Sequence, residues 1–363
     1  MDATGVYEKR LPAGDIASLD SNLTPAFKKR FGDGAFLEGI NMDKRHIYSL
    51  PAIGTTPRLI YNKGIFKRVG IKAPPKTVAE MAKDAIMIST KLGKDGIYGY
   101  AQNFKNPTQA LSRSVDYIMM RSGGVREGYA FKTGKFDFTG YKPILQAYKT
   151  IFTSNGAFPG CESLDIDPLR TQFAAGKIGM YISWTHSEPG VYQNQFPTKE
   201  DWDIAPLPTI NGVKGSNRIN LAGRFWLMNS RTKYPKEAWQ VMEFLYSDPL
   251  LIGYYEHGLG LVMVPSVIRK AKQPITVKKW PAIQFDKNDK IWPNIPLDVR
   301  PEGKDMYEVF VEIIFGVTDP DKGIADLNAR YNLALDKAVS EHRSTRIIYP
   351  NFDPAEPGKI FKK

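Results

Sequence analysis

Five side chains are the first candidates for nucleophilic or metal chemistry: Cys161, His46, His186, His257 and His342. A thiol and an imidazole can act as nucleophile and base, and paired imidazoles can hold a metal. The spacing supports neither use. The histidines are scattered, with no pair at helical spacing. A single cysteine excludes an intramolecular disulfide, a cysteine zinc site and a thiol-ligated cluster. Cys161 follows Phe158-Pro159-Gly160 and reads as a structural residue. There is no G-x-x-x-x-G-K-[ST] phosphate loop and no G-x-S-x-G nucleophile elbow. Gly258-Leu259-Gly260 lacks the third glycine of a dinucleotide fingerprint. The catalytic reading left open is a pair of carboxylates that meet only in space, as in glycoside hydrolysis. No cofactor and no metal is expected.

The chain that must position these residues has 363 of them, more than one core usually carries, so two domains are expected. An apolar content of 42% with 12% aromatics excludes intrinsic disorder. The net charge of +12 is not concentrated: the longest basic clusters are Lys28-Lys29-Arg30 and Lys362-Lys363. A solvated basic surface follows, and no nucleic-acid partner, because specific binders gather their charge. The most apolar stretch, 250–268, is interrupted by Glu256, His257, three glycines and Pro265, so no membrane span is expected. Met1-Asp2-Ala3-Thr4-Gly5 has neither a basic start nor an apolar core, so it does not read as a signal peptide.

Thr77-Val78-Ala79-Glu80 is a capping box. It opens a helix whose inner face is Val78, Met81, Ala82, Ala85, Ile86, Ser89 and Leu92, with Gly93 closing it. Further helices are expected over 108–121 and 142–153. Asp167-Pro168, Asp248-Pro249 and Asp319-Pro320 read as helix starts, Asp as N-cap and Pro as the first helical residue. Three stripes read as core faces: Ala238, Trp239, Met242 and Leu245; Met306, Val309, Phe310, Ile313 and Ile314; Ile324, Leu327, Tyr331, Leu335 and Ala338. Short apolar runs over 47–53, 59–62, 96–100, 178–183, 202–206 and 225–229 read as strands. Their alternation with helices predicts an α/β fold with a mostly parallel sheet. No linker splits the chain, so its two domains are expected to be woven from discontinuous segments.

An ordered series of segments carries a resemblance. Tyr48-Ser49-Leu50-Pro51 leads to Leu59-Ile60-Tyr61-Asn62-Lys63, Gly70-Ile71 and Pro74-Pro75-Lys76-Thr77. Gly123-Gly124 precedes Gly128-Tyr129-Ala130-Phe131-Lys132 and Gly134-Lys135-Phe136-Asp137. Phe173-Ala174-Ala175-Gly176-Lys177-Ile178-Gly179-Met180 leads to Trp184, then Trp202-Asp203-Ile204-Ala205-Pro206-Leu207-Pro208. Ala238-Trp239, Phe244-Leu245 and Pro293-Asn294-Ile295-Pro296 follow. Together they resemble the maltose-binding-protein-like branch of the extracellular solute-binding proteins that feed ABC importers.

That resemblance implies a two-lobe periplasmic-binding-protein-like fold of the second type, closing about a hinge on ligand held in the cleft. The first lobe would take 1–54 and 223–288, the second 55–222 and 289–363. It implies a monomer outside the inner membrane. Its ligand would be a small molecule, a carbohydrate above all, and its partners the permease subunits of an ABC importer. The strand, helix and strand with which mature family members begin have no counterpart before Met1. A start placed too far downstream, a genuine fragment or a deliberately shortened chain would each account for this, the first being favoured, and exposed apolar surface on the first lobe with low stability is then expected.

The same resemblance nominates ligand contacts. Sugar sites set aromatic faces against C–H patches and polar groups against hydroxyls. Trp184 matches a stacking tryptophan of the family, and Tyr307 falls where the family places an aromatic contact. Thr55 stands where maltose binders carry a carboxylate, which argues against maltodextrin. Gly223, Arg224 and Trp226 occupy the second hinge crossing. Asn103, Asn106 and Gln109 follow a strand end. Arg58 and Arg224 flank hinge positions, and a guanidinium fork favours a carboxylate or phosphate, so a uronate sugar or a glycerophosphodiester is the anionic alternative to a neutral sugar. The rival classes are a secreted carbohydrate-active enzyme and a fragment unable to bind.

Overall fold

The computed structural model describes residues 10–32, 34–221 and 226–361. Its largest sheet is built from the apolar runs read above: β1 (Pro57–Asn62), β2 (Tyr98–Tyr100), β3 (Ile178–Trp184) and β4 (Trp202–Ala205), in the order β2-β3-β1-β4. Every residue of β1 but Tyr61, and every residue of β3 but Trp184, is buried. Such runs belong to a sheet covered on both faces.

The sheet is mixed, not mostly parallel. Only β2 and β3 run parallel; β1 is antiparallel to both β3 and β4. Parallel neighbours need a crossover, and helices intervene between β2 and β3. β1 instead enters directly after the two-residue strand Ile53–Gly54, which pairs with Leu261–Val262.

Helix α1 (Val78–Leu92) forms with both halves of its capping box: Glu80 N–H donates to Thr77 Oγ1 at 3.1 Å and Thr77 N–H to Glu80 Oε2 at 3.1 Å. Its buried stripe holds Ile88 where Ile86 was expected. Gly93 keeps a right-handed φ of −61°; after one tight turn, Gly96 supplies the left-handed stop at +74°. The helix lies so close on β2 that a Cβ at Gly99 would stand 2.1 Å from the Ala85 carbonyl oxygen. Only glycine permits that approach. Ser89 Oγ ties the contact by accepting from Gly99 N–H (2.9 Å) and donating to the Gly156 carbonyl (3.1 Å).

The helix expected over 108–121 is two: α2 (Pro107–Ser112) and α3 (Val115–Arg121). At the break, Ser114 Oγ donates to the Ala110 carbonyl four residues back (2.8 Å), a bond that bends helices. α4 (Lys142–Thr153), α5 (Met306–Ile314) and α6 (Pro320–Ser340) follow the expected stripes. Asp319 caps α6 as expected. The other two Asp-Pro helices begin a residue or two earlier, after Asp165 and Ser247. The run over 47–53 contributes only the ends of His46–Ile47 and Ile53–Gly54. Of 225–229, Phe225 lies outside the described residues, and the rest form no strand beyond a bridge from Asn229 to Ile16.

Two apolar clusters result. The larger takes the sheet, α1, α3, α4, α5 and α6, together with Val277, Trp280 and Ile283. Trp280 stacks on Trp202 of β4 with ring centroids 4.3 Å apart and donates to its carbonyl at 3.2 Å. The smaller gathers Leu19, Leu50, Met242, Tyr246, Leu251 and Val264, among others. On its helix Pro235–Leu245 only Met242 of the expected stripe is buried, while Val241 and Phe244 face solvent. Cys161 is buried in the larger cluster, its thiol donating to the Phe158 carbonyl at 3.0 Å; burial pushes its pKa up to about 12. No described helix is long and apolar enough to cross a membrane.

Candidate functional site

Three short segments run side by side beneath the site. Residue 55 pairs with 220 through two backbone bonds, Thr55 N–H to the Asn220 carbonyl (3.0 Å) and Asn220 N–H to the Thr55 carbonyl (2.7 Å). β5 (Asn217–Arg218) pairs in parallel with β6 (Asp289–Lys290). Arg58 of β1 clamps them. Its guanidinium forks onto Asp289 (Nη1–Oδ1 3.1 Å, Nη2–Oδ2 2.5 Å), and its Nε–H donates to the Ala282 carbonyl at 3.0 Å. Asp289 Oδ1 also accepts from Asn217 Nδ2 at 3.0 Å. Both side chains of the pair are shut away from water.

Above these segments opens a cleft of about 720 Å³. Trp184, the last residue of β3, stands half-buried in its wall. The Tyr117 ring of α3 meets Trp184 edge-on, 5.6 Å between centroids at 88°. Arg218 of β5, also in the wall, lies 5.6 Å over the Tyr117 ring. It faces Glu127 at 3.9 Å, and Arg126 pairs with the same carboxylate at 3.0 Å. Tyr307 opens α5 into the cleft, because Asp305 caps that helix by accepting from the Tyr307 and Glu308 N–H groups. The Tyr307 hydroxyl donates to Asp116 of α3 at 2.5 Å, and Tyr141 donates to the other oxygen at 2.6 Å.

Asp116 is buried, and burial raises its pKa to about 7, with the Glu127 charge pushing the same way and the two tyrosine bonds opposing. The unfolded group titrates near pH ~4. Between those values the folded protein holds the proton more tightly than the unfolded chain does. The stabilising contribution of Asp116 is therefore complete below about pH 4 and is lost as pH rises toward 7. Asp116→Asn is expected to flatten this loss. Thermal melts from pH 4.5 to 7.5 check it: equal slopes for wild type and variant would give Asp116 an ordinary carboxyl pKa.

The nominated residues divide. Trp184 and Tyr307 share the cleft, with Gln109 of α2. Thr55 is buried beneath it, its hydroxyl 2.8 Å from His186 Nδ1. Arg58 is not available to a solute, because Asp289 and main-chain carbonyls use its donors. Asn103 is buried and accepts from Arg113. Asn106 caps α2 through Gln109 N–H (3.0 Å) and is not in the cleft wall. Trp226 is 52% exposed, also away from that wall. Gly223 and Arg224 lie outside the described residues.

Sequence reasoning passed over Arg113, Arg126, Glu127, Arg218 and Asn220. Two signals were present. In the sequence Arg113 stands at helical spacing from Ala110, Tyr117 and Met120, a row of apolar positions where a charge rarely sits without purpose. Arg126-Glu127 is a charged pair inside a glycine-flanked loop, and Glu127 holds a left-handed φ of 49°.

Residues 7–249 match the profile of a family described as bacterial extracellular solute-binding protein. The chain is similar to a Brucella abortus (strain 2308) protein named as a binding protein, 26% identical over 234 residues, 64% of this chain and 54% of that one. It thus spans about half the length of that relative. A Deinococcus radiodurans protein named as an ABC transporter-binding protein is 24% identical over 191 residues, 52% of this chain and 44% of the other. In structure the chain is similar to the binding protein RafE solved with raffinose, TM-score 0.68 at 15% identity, covering 91% of this chain and 83% of that one, and to apo RafE of Streptococcus pneumoniae, TM-score 0.63 at 15% identity, covering 91% and 81%. The fold is the expected two-lobe α/β architecture.

Proposed function

We propose that this chain, which belongs to the bacterial extracellular solute-binding protein family, captures a sugar or sugar-like solute in the cleft at Trp184 and delivers it to the permease subunits of an ABC importer. The observation that carries the reading is the Trp184 wall. A half-buried indole, fixed from behind by Tyr117 and bordered by Arg218, Glu127 and Tyr307, offers an apolar face beside polar groups. That is the combination a sugar ring needs. The raffinose bound by RafE and the name of the Deinococcus radiodurans relative support the ligand class and the transporter partner.

On this reading the lobes are 1–54 with 223–288 and 55–222 with 289–363, except that 277–283 leave the first lobe to pack on β4 of the second, and the segments tied by Arg58 and Asp289 are the hinge about which the lobes close. The protein works as a monomer in the periplasm or outside the cell. We assign it binding, not catalysis, because the carboxylates of the wall are already engaged. Glu127 serves Arg126 and Arg218, Asp298 pairs with Arg300 and Arg343, and Asp305 caps α5.

A thermal-shift screen against neutral and acidic mono- and oligosaccharides, followed by calorimetry, tests this. Ligand at 100 times its Kd adds about 2.7 kcal/mol to the native state, so a saturable rise in Tm is expected. No shift with any sugar, together with release of products from a glycan, would turn the assignment to an enzyme.

A further inference from the structure

We infer that the solute carries an acid group, a carboxylate or a phosphate on a sugar, and that Arg113 receives it; this rests on the cleft being the solute site. Arg113 lines the cleft beside Thr108, Gln109 and Ser112, yet it is only 5% exposed. Among the described residues the other two arginines of the wall face a carboxylate: Arg126 and Arg218 share Glu127. Arg113 has none within 4.0 Å among the described residues. Its Nη2 donates to the neutral amide of Asn103, and its buried Nε–H has no partner. Glu188 is the carboxylate that acts on it most, but Glu188 is itself engaged by Arg170 (2.6 Å), Tyr181 (2.5 Å) and Ser183 (2.8 Å).

The amide does not offset that shortage. Asn103 spends its oxygen on Arg113, and its buried Nδ2 also lacks an acceptor. The pair therefore presents a positive charge and spare donors with no carboxylate in contact among the described residues. A buried guanidinium is costly unless an anion meets it. The group that pairs best with such a cation is an oxyanion, and the fork geometry suits carboxylate and phosphate alike. Trp184 and Tyr307 in the same wall make the rest of the solute a sugar. A neutral sugar would leave Arg113 as starved of charge as before.

Calorimetry with three probes separates the cases: digalacturonate, its neutral counterpart galactobiose, and galactose 1-phosphate. Wild type is expected to bind one acidic probe about 10- to 100-fold more tightly than the neutral one, with affinity falling as salt rises. The carboxylate and phosphate arms tell which acid is preferred. Arg113→Gln should erase the difference between acidic and neutral probes.

Asn103→Asp gives a readout that does not depend on choosing the right sugar. It sets a carboxylate against Arg113, so the melting temperature should rise by a few degrees and acidic probes should lose their advantage. Galactobiose binding as tightly as both acidic probes would overturn the inference and leave the solute-binding reading intact. A lower melting temperature for Asn103→Asp would overturn it as well. Failure of all three probes and of the wider sugar screen would remove both readings.

Discussion

Asp289→Ala is expected to cost the fold about 3–5 kcal/mol. The reason is what it leaves behind. Arg58 is fully enclosed, and Asp289 is the carboxylate that forks onto its guanidinium. Asn217 Nδ2 and the Asp286 N–H lose their acceptor at the same time. Asp289→Asn keeps the shape but not the charge, and should lie between wild type and alanine. The double change Arg58→Met with Asp289→Leu should recover part of the loss, because removing both charges leaves no buried ion unpaired, while Asn217 Nδ2 and the Asp286 N–H still lack their acceptor. Chemical denaturation of the four proteins checks this. If the alanine variant lost less than about 1 kcal/mol, the level of an exposed pair, water would have to reach Arg58.

Trp184→Ala is expected to weaken sugar binding by about 2–4 kcal/mol, roughly 30- to 1000-fold, the range of an aromatic anchor at a binding hot spot. Melting should change far less than binding, since Trp184 is half-buried at a strand end and its loss opens no cavity deep in the core. Trp184→Phe keeps an apolar face for the ring and should retain most of the affinity. Calorimetry with whichever sugar gives the largest thermal shift measures both. Unchanged affinity in the alanine variant would place the solute elsewhere.

Much of the fold was legible because local rules and packing agreed. The Thr77 capping box, the 142–153 helix and the strands of the main sheet stand where periodicity put them. Strand direction was not legible. Whether β1 runs with or against its neighbours depends on how the chain enters the sheet, and that is not a property of its residues. The site was half legible. Trp184 and Tyr307 came through the resemblance, and both line the cleft. Arg58 was read by type, as a guanidinium near a crossing. Its fate turned on Asp289, which is 231 residues away and visible as a partner only in three dimensions. Arg113 was lost for the opposite reason: a helix drawn straight through 108–121 hid the break that sets this residue at the cleft.

The burial of Cys161 makes the wild-type chain a ready background for distance spectroscopy. Its thiol is inaccessible and stays protonated at neutral pH, so it will not compete for a maleimide. It is also the chain's only cysteine. A pair of cysteines introduced on exposed positions across the cleft can therefore carry a donor and an acceptor dye with no native residue removed. The hinge closure proposed above can then be looked for molecule by molecule in a protein that is otherwise unaltered.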